Sequence, residues 1–171
     1  LNEEIYKKLN GEKKQIFLAE QIDDMYATIM RQAFFTIFEI VAHKHIVEQS
    51  VTIDNISNLY IDNLKAQFGN SIRISDDFKW EWLYIPHFYH SPFYCYAYSF
   101  GNLLVLSLYQ QYREEGKSFI SKYLKILSAG GSEKPETLLK DSGFDITKAS
   151  FWQQGFDLIK TKINILKEND N

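Results

Sequence analysis

KKQIFLAEQIDDMYATIMRQAFFTIFEIVAHKHIVEQ, residues 13–49, decides the fold. No Pro or Gly interrupts this stretch. Ile22, Tyr26, Ile29, Met30, Ala33, Phe34, Ile37, Phe38 and Val41 recur three and four apart, the period of a buried helical face. The spacing predicts one long helix over 13–49. Its apolar face is wide, so neighbours are expected on at least two sides. Thr28, Arg31, Gln32, Glu39 and His43 share one angular sector, and Glu39 and His43, four apart, can touch. His43 therefore reads as a core-edge histidine paired with Glu39.

On the N-terminal side, residues 1–11 read as a short helix closed by Gly11. On the C-terminal side, Thr52 is a candidate N-cap for a helix over 53–68 that Gly69 ends. Pro86 halts any helix begun at Trp80, which makes 83–91 an ordered loop. Pro92 suits the first turn of the next helix, running to Gly116. Residues 118–128 form another, ended by Ala129, Gly130 and Gly131. Pro135 starts a short helix to Lys140, Gly143 breaks the chain, and a last helix spans 147–167. No alternating run persists long enough for a strand. The expectation is an all-α chain, 1–171 forming a single helical domain.

The chain has 171 residues, 45% hydrophobic and 24% charged, which suits a globular core and argues against disorder. Its formal net charge is −3, and Lys and Arg are scattered. No basic stripe is present, so a role in tracking nucleic acid is not expected. No run of eighteen apolar residues suggests a membrane span, and LNEEIYKKLNGEKK carries no apolar signal core. The single cysteine, Cys95, precludes an internal disulfide and fits a reducing, cytoplasmic setting. Leu1 in place of a starting methionine suggests a fragment of a longer protein.

There is no HExxH, CxxC, glycine-rich phosphate loop or Gly-x-Ser-x-Gly elbow. Three clusters remain. The first is WEWLYIPHFYHSPFYCYAYSFG at 80–101, with His87, His90, Tyr89, Tyr94, Tyr96 and Tyr98. Tyrosine hydroxyls and imidazole N–H groups are directed donors that can stabilise a carbonyl oxygen gaining charge or hold peptide backbone. The same residues could instead form an aromatic core with hydrogen-bonded tyrosines. The second cluster comprises the only histidines, His43, His45, His87 and His90. His43 and His45 point about 200° apart on a helix and cannot chelate together. The third is Ser128-Ala-Gly-Gly-Ser132, a helix-ending turn that also permits close approach to a ligand. Cys95 lacks a basic activator nearby in sequence and reads as a packing residue.

The string YIPHFYHSPFYCYAYSFG at 84–101 resembles the late active-site segment of the thimet-oligopeptidase-like zinc metallopeptidases, specifically their oligoendopeptidase F branch. Other strings agree in order: ATIMRQ at 27–32, Phe38-Glu39 with His43, LSAGGS at 127–132 with Pro135 and Leu138-Leu139, and GFD at 143–145. The resemblance covers essentially the whole chain. It implies the helical C-terminal subdomain of a zincin-type oligopeptidase catalytic domain, with short peptides as substrates. Zinc would serve the full-length enzyme through an HExxH and a later glutamate. Both belong before a Leu-Asn-Glu string that Leu1-Asn2-Glu3 resembles. No metal ligand is therefore assigned to this chain, which is expected to be inactive alone and to need the N-terminal part of the same enzyme as partner. Faces cut away from that part would favour self-association.

The resemblance implies His87, Tyr94 and Tyr96 as catalytic residues. It implies Tyr89, His90, Tyr98, Gly130 and Gly131 as substrate-binding ones. Phe93 stands where relatives outside this branch present tyrosine, so the tyrosine assignment stays open. Two other readings remain: a non-catalytic helical module binding a peptide or protein, and a stand-alone metalloprotein using His43, His87 and His90.

Overall fold

A computed structural model describes residues 2–168. Leu1, part of the Leu-Asn-Glu string, lies outside the described residues, as do 169–171. Among the described residues the chain is helical, with no strand. The α-helices are α1 Asn2–Lys8, α2 Gly11–Met25, α3 Arg31–Glu48, α4 Ile53–Phe68, α5 His87–His90, α6 Tyr96–Glu115, α7 Phe119–Ala129, α8 Pro135–Asp141 and α9 Ala149–Glu168. Two 3₁₀ segments, Asp76–Tyr84 and Gly116–Ser118, join them. The residues fall into two compact units, one built from those up to Asp24 and from Gly101 onward, the other Met25–Phe100.

The long helix read over 13–49 is continuous but not uniform. Between α2 and α3, Tyr26–Met30 form a π-helical turn in which the Arg31 N–H donates to the Tyr26 carbonyl. The Ser99 hydroxyl donates to the Ile29 carbonyl of this turn at 2.7 Å. Buried residues run along the whole stretch, with Leu18, Met25 and Ile29 ahead of α3 as well as those within it. In α3 the buried residues are Phe35, Phe38, Glu39 and Ala42, a single face at i, i+3, i+4 and i+7. Ile37 and Ile40, on other sides, are about half exposed.

Local sequence explains the rest, with three corrections. Gly11, at φ 40°, opens α2, and α1 ends at Lys8. Residues 83–91 are not a loop: a 3₁₀ helix ends at Tyr84, and α5 forms one turn after Pro86. Pro86 has no N–H to place, and its carbonyl accepts from His90 N–H at 2.9 Å. The next helix starts at Tyr96, not at Pro92, because Phe93 sits at φ 58°. Thr52 caps α4 in a reciprocal box with Asn55, and Gly69 ends it at φ 55°.

The core of the Met25–Phe100 unit joins Phe35, Phe38, Ala42, Ile56, Tyr60, Ile61, Leu64, Ile85 and Cys95. Tyr60, 0% exposed, packs edge-on against Phe38 at 4.9 Å. Its hydroxyl donates to Glu81 Oε2 at 2.8 Å, while Arg31 holds Glu81 Oε1 at 2.9 Å. This pairing lets a tyrosine hydroxyl be buried. In the other unit, Leu108, Phe119, Leu139, Phe144 and Phe151 form the core. Gly155 brings α9 close to α6: a Cβ there would lie 3.1 Å from Ser107 Oγ and 3.2 Å from the Leu103 carbonyl.

Candidate functional site

The tyrosine-rich segment enters from the 3₁₀ helix through buried Ile85, makes the single turn of α5, and bends at Phe93 before α6. Ile85 and Cys95 anchor its two ends in the core. Between these anchors Tyr89 and Tyr94 are half exposed, and just beyond Cys95 Tyr96 is 57% and Tyr98 38% exposed.

Three expected site residues come together. The Tyr98 hydroxyl and His87 Nε2 share a hydrogen bond of 3.0 Å. The donor in that bond depends on the imidazole tautomer. The two rings meet edge-to-face at 5.4 Å, and Tyr94 meets Tyr98 in the same manner at 5.5 Å. Tyr94 precedes α6, yet its ring meets that of Tyr98 in the first turn of the helix. His90 and Tyr96 are exposed and join this set by no hydrogen bond or ring contact among the described residues. Tyr89 lies on the other side of the segment, lining a pocket of about 130 Å³ with Phe38, Glu39, Ala42, His43 and Phe88. Partial burial raises its phenol above the ordinary tyrosine value, which keeps it a neutral donor. Gly130 and Gly131 belong to the other unit. Gly130, at φ 54°, ends α7, and a Cβ on either glycine would meet nothing within 4 Å.

Glu39 and His43 do not pair as expected; both engage Phe93. Glu39 Oε1 accepts the Phe93 N–H at 2.6 Å, and the His43 ring lies 4.6 Å from the Phe93 ring. The Glu39 side chain is 2% exposed, and its Oε2 has no hydrogen-bond partner. Sequence reasoning missed this contact across 54 positions, although one sign was present. Glu39 occupies the buried register of Phe35, Phe38 and Ala42, where a carboxyl group needs a reason to be. Cys95, 0% exposed, is also near Glu39. Burial, with the Glu39 charge adding to it, pushes the Cys95 thiol up to about 11.

Among the described residues no group of three or more His, Cys, Asp or Glu side chains could hold a metal ion. His43, His87 and His90 thus make no metal site together, and the side chains present do not fit a zinc ion. Among the described residues no helix is long and apolar enough to cross a membrane.

The chain resembles known proteins in sequence and fold. A sequence model described as peptidase family M3 matches residues 2–158. An oligoendopeptidase F homolog from Borreliella burgdorferi is 36% identical over 149 residues, covering 86% of this chain and 25% of that protein. Oligopeptidase PepF of Bacillus subtilis is 30% identical over 170 residues, covering 98% of this chain and again 25% of the relative. The crystal structure of oligoendopeptidase-F from Enterococcus faecium superposes with a TM-score of 0.88 over 99% of this chain and 33% of that one. At 23% identity, this likeness shows the fold. The chain spans about a quarter of the length of the curated relatives it matches. Matched by the family over nearly its whole length, and helical like the C-terminal part of an oligopeptidase, this chain belongs to peptidase family M3 and is oligoendopeptidase F-like.

Proposed function

We propose that these residues form the substrate-binding and oxyanion-stabilising part of a cytoplasmic zinc endopeptidase that hydrolyses short peptides. The observation that carries the reading is the set His87, Tyr98 and Tyr94: linked donors on a surface, anchored from below by Ile85 and Cys95. Tyr94 and His87 are the leading candidates for contact with the scissile carbonyl, with Tyr96 next. Tyr89, His90, Tyr98 and the Gly130-Gly131 turn would serve the peptide backbone.

A tyrosine hydroxyl on a rigid ring donates without changing its proton count. Aimed at a carbonyl oxygen that gains negative charge, such a donor is worth roughly 2.7–4 kcal/mol in an oxyanion hole. Peptide held by exposed hydroxyls and imidazole keeps its own hydrogen bonding satisfied on leaving water. Metal binding, on this proposal, falls to residues outside this chain, which would leave these residues inactive by themselves.

Two observations test the reading. The reading frame upstream of Leu1 should encode an HExxH; a natural start at Leu1 with no upstream coding sequence would favour the binding-module alternative. In the intact enzyme, Tyr94→Phe or Tyr96→Phe should lower kcat by roughly a hundredfold with KM within about threefold, as for a contact made in the transition state. If both variants and His87→Ala kept kcat/KM near the parent value, the catalytic role would be abandoned.

A further inference from the structure

The geometry points to Glu39 as a positioning residue that clamps the turn between α5 and α6 and so sets Tyr94 and the His87–Tyr98 pair. Its effect on turnover rests on the function proposed above; its effect on the turn does not.

Phe93 is the one non-glycine residue with positive φ among the described residues, at 58°. A bulky side chain disfavours that conformation, which persists only where the surroundings impose it. The local sequence offers an alternative: Pro92 onward reads as the start of a helix that could run directly into α6. In that alternative Phe93 would have helical φ, and Tyr94 would point elsewhere. What holds the turn is the short hydrogen bond from Phe93 N–H to Glu39 Oε1, backed by the Phe93 ring on His43 one turn along α3.

Glu39 is placed as a clamp, not as a packing residue. It is 2% exposed in an apolar register, has no ion pair among the described residues, and leaves Oε2 without a partner. A buried carboxyl group so poorly compensated detracts from stability, and an apolar residue would pack better there. The hydrogen bond it makes is the one that bends the chain. On the far side of the bend, successive residues diverge. Cys95 goes into the core at 0% exposed, and Tyr94 goes out onto Tyr98.

The test uses the intact enzyme with Glu39→Ala, Glu39→Gln and the double variant Glu39→Ala/Phe93→Gly. The first readout is alkylation of Cys95, followed by mass spectrometry of the peptide that carries it. The second is kcat and KM. Glu39→Ala should speed Cys95 alkylation and lower kcat, each about tenfold, with KM little changed. Glu39→Gln keeps an acceptor oxygen and should recover kcat, with Cys95 alkylation well below that of Glu39→Ala although the lost charge eases ionisation of the thiol in both. Phe93→Gly, added to Glu39→Ala, should also recover kcat and slow alkylation, because glycine adopts the turn without a clamp. A residue that served only packing would not be rescued by a glycine 54 positions away. Unchanged Cys95 alkylation in Glu39→Ala, or no rescue by Phe93→Gly, overturns the clamp; should Glu39→Ala not fold, the double variant alone decides, and exposure of its Cys95 overturns it. Faster alkylation rescued by glycine, with turnover unaffected throughout, leaves the clamp standing and overturns the catalytic reading of Tyr94.

Discussion

Tyr98→Phe separates orientation from packing at the candidate site. The substitution removes one oxygen and keeps the ring, so the edge-to-face contacts with His87 at 5.4 Å and Tyr94 at 5.5 Å survive. What is lost is the 3.0 Å hydrogen bond to His87 Nε2. Tyr98 is 38% exposed, so water replaces much of that bond and stability should fall by no more than about 0.5–1 kcal/mol. Turnover should respond more. His87 would lose the partner that fixes its ring plane and tautomer. We expect kcat/KM to fall by about tenfold, or about 1.4 kcal/mol of transition-state stabilisation. That is less than for Tyr94→Phe, which would remove a direct donor. The assay is steady-state hydrolysis of a quenched fluorescent peptide by the intact enzyme, beside urea unfolding of both proteins. If kcat/KM stays within about twofold of the parent while His87→Ala abolishes activity, Tyr98 does not orient His87. If stability falls by more than about 2 kcal/mol, the hydroxyl is structural.

Two predictions concern the scaffold. The Cys95 thiol is raised from 9.0 to about 11 in the folded chain. The stability this gives is complete below about pH 9 and is lost as pH rises through about 11, because the unfolded thiol ionises first. The unfolding free energy of the parent relative to Cys95→Ala, taken from urea melts, should therefore fall across that window by up to about 2 kcal/mol; a flat difference refutes it. Gly155→Val would press a Cβ against Ser107 Oγ and the Leu103 carbonyl. Overpacking of roughly 1–3 kcal/mol should outweigh the sub-kcal gain in helix propensity and lower the melting temperature, and an equal or higher melting temperature would show that α6 and α9 yield.

Elements governed by neighbouring residues were legible in the sequence. Thr52 with Asn55, and Gly69 at φ 55°, fix both ends of α4 within single turns of chain. Pro135 and Gly143 likewise bracket α8. What could not be read depends on distant partners. Nothing in Pro92-Phe93-Tyr94 announces a left-handed phenylalanine, because the cause is Glu39 on another helix. The π turn at Tyr26–Met30 changes the helical count by one residue, which a wide apolar face hides; Ser99, which donates to its Ile29 carbonyl, is 70 positions away. At the site, the residue types were visible but the joining of His87 to Tyr98, leaving His90 and Tyr96 apart, was not.

The contrast between tyrosines argues against the aromatic-core alternative. Tyr60 shows what a packing tyrosine is in this unit: 0% exposed, ring against Phe38, hydroxyl held by Glu81. The side chains of 87–98 that take the core role are Phe88, packed against Phe35 and Phe38, and Cys95. Tyr89, Tyr94, Tyr96 and Tyr98 lie outside that role, each more than a third exposed. A segment selected only to fill a core would have little use for four hydroxyls on its outer side, since phenylalanine buries as much apolar area without needing a partner. Phe88 and Cys95 therefore hold the segment, Phe93 bends it, and the tyrosines are left free to meet something that is not part of this unit's core.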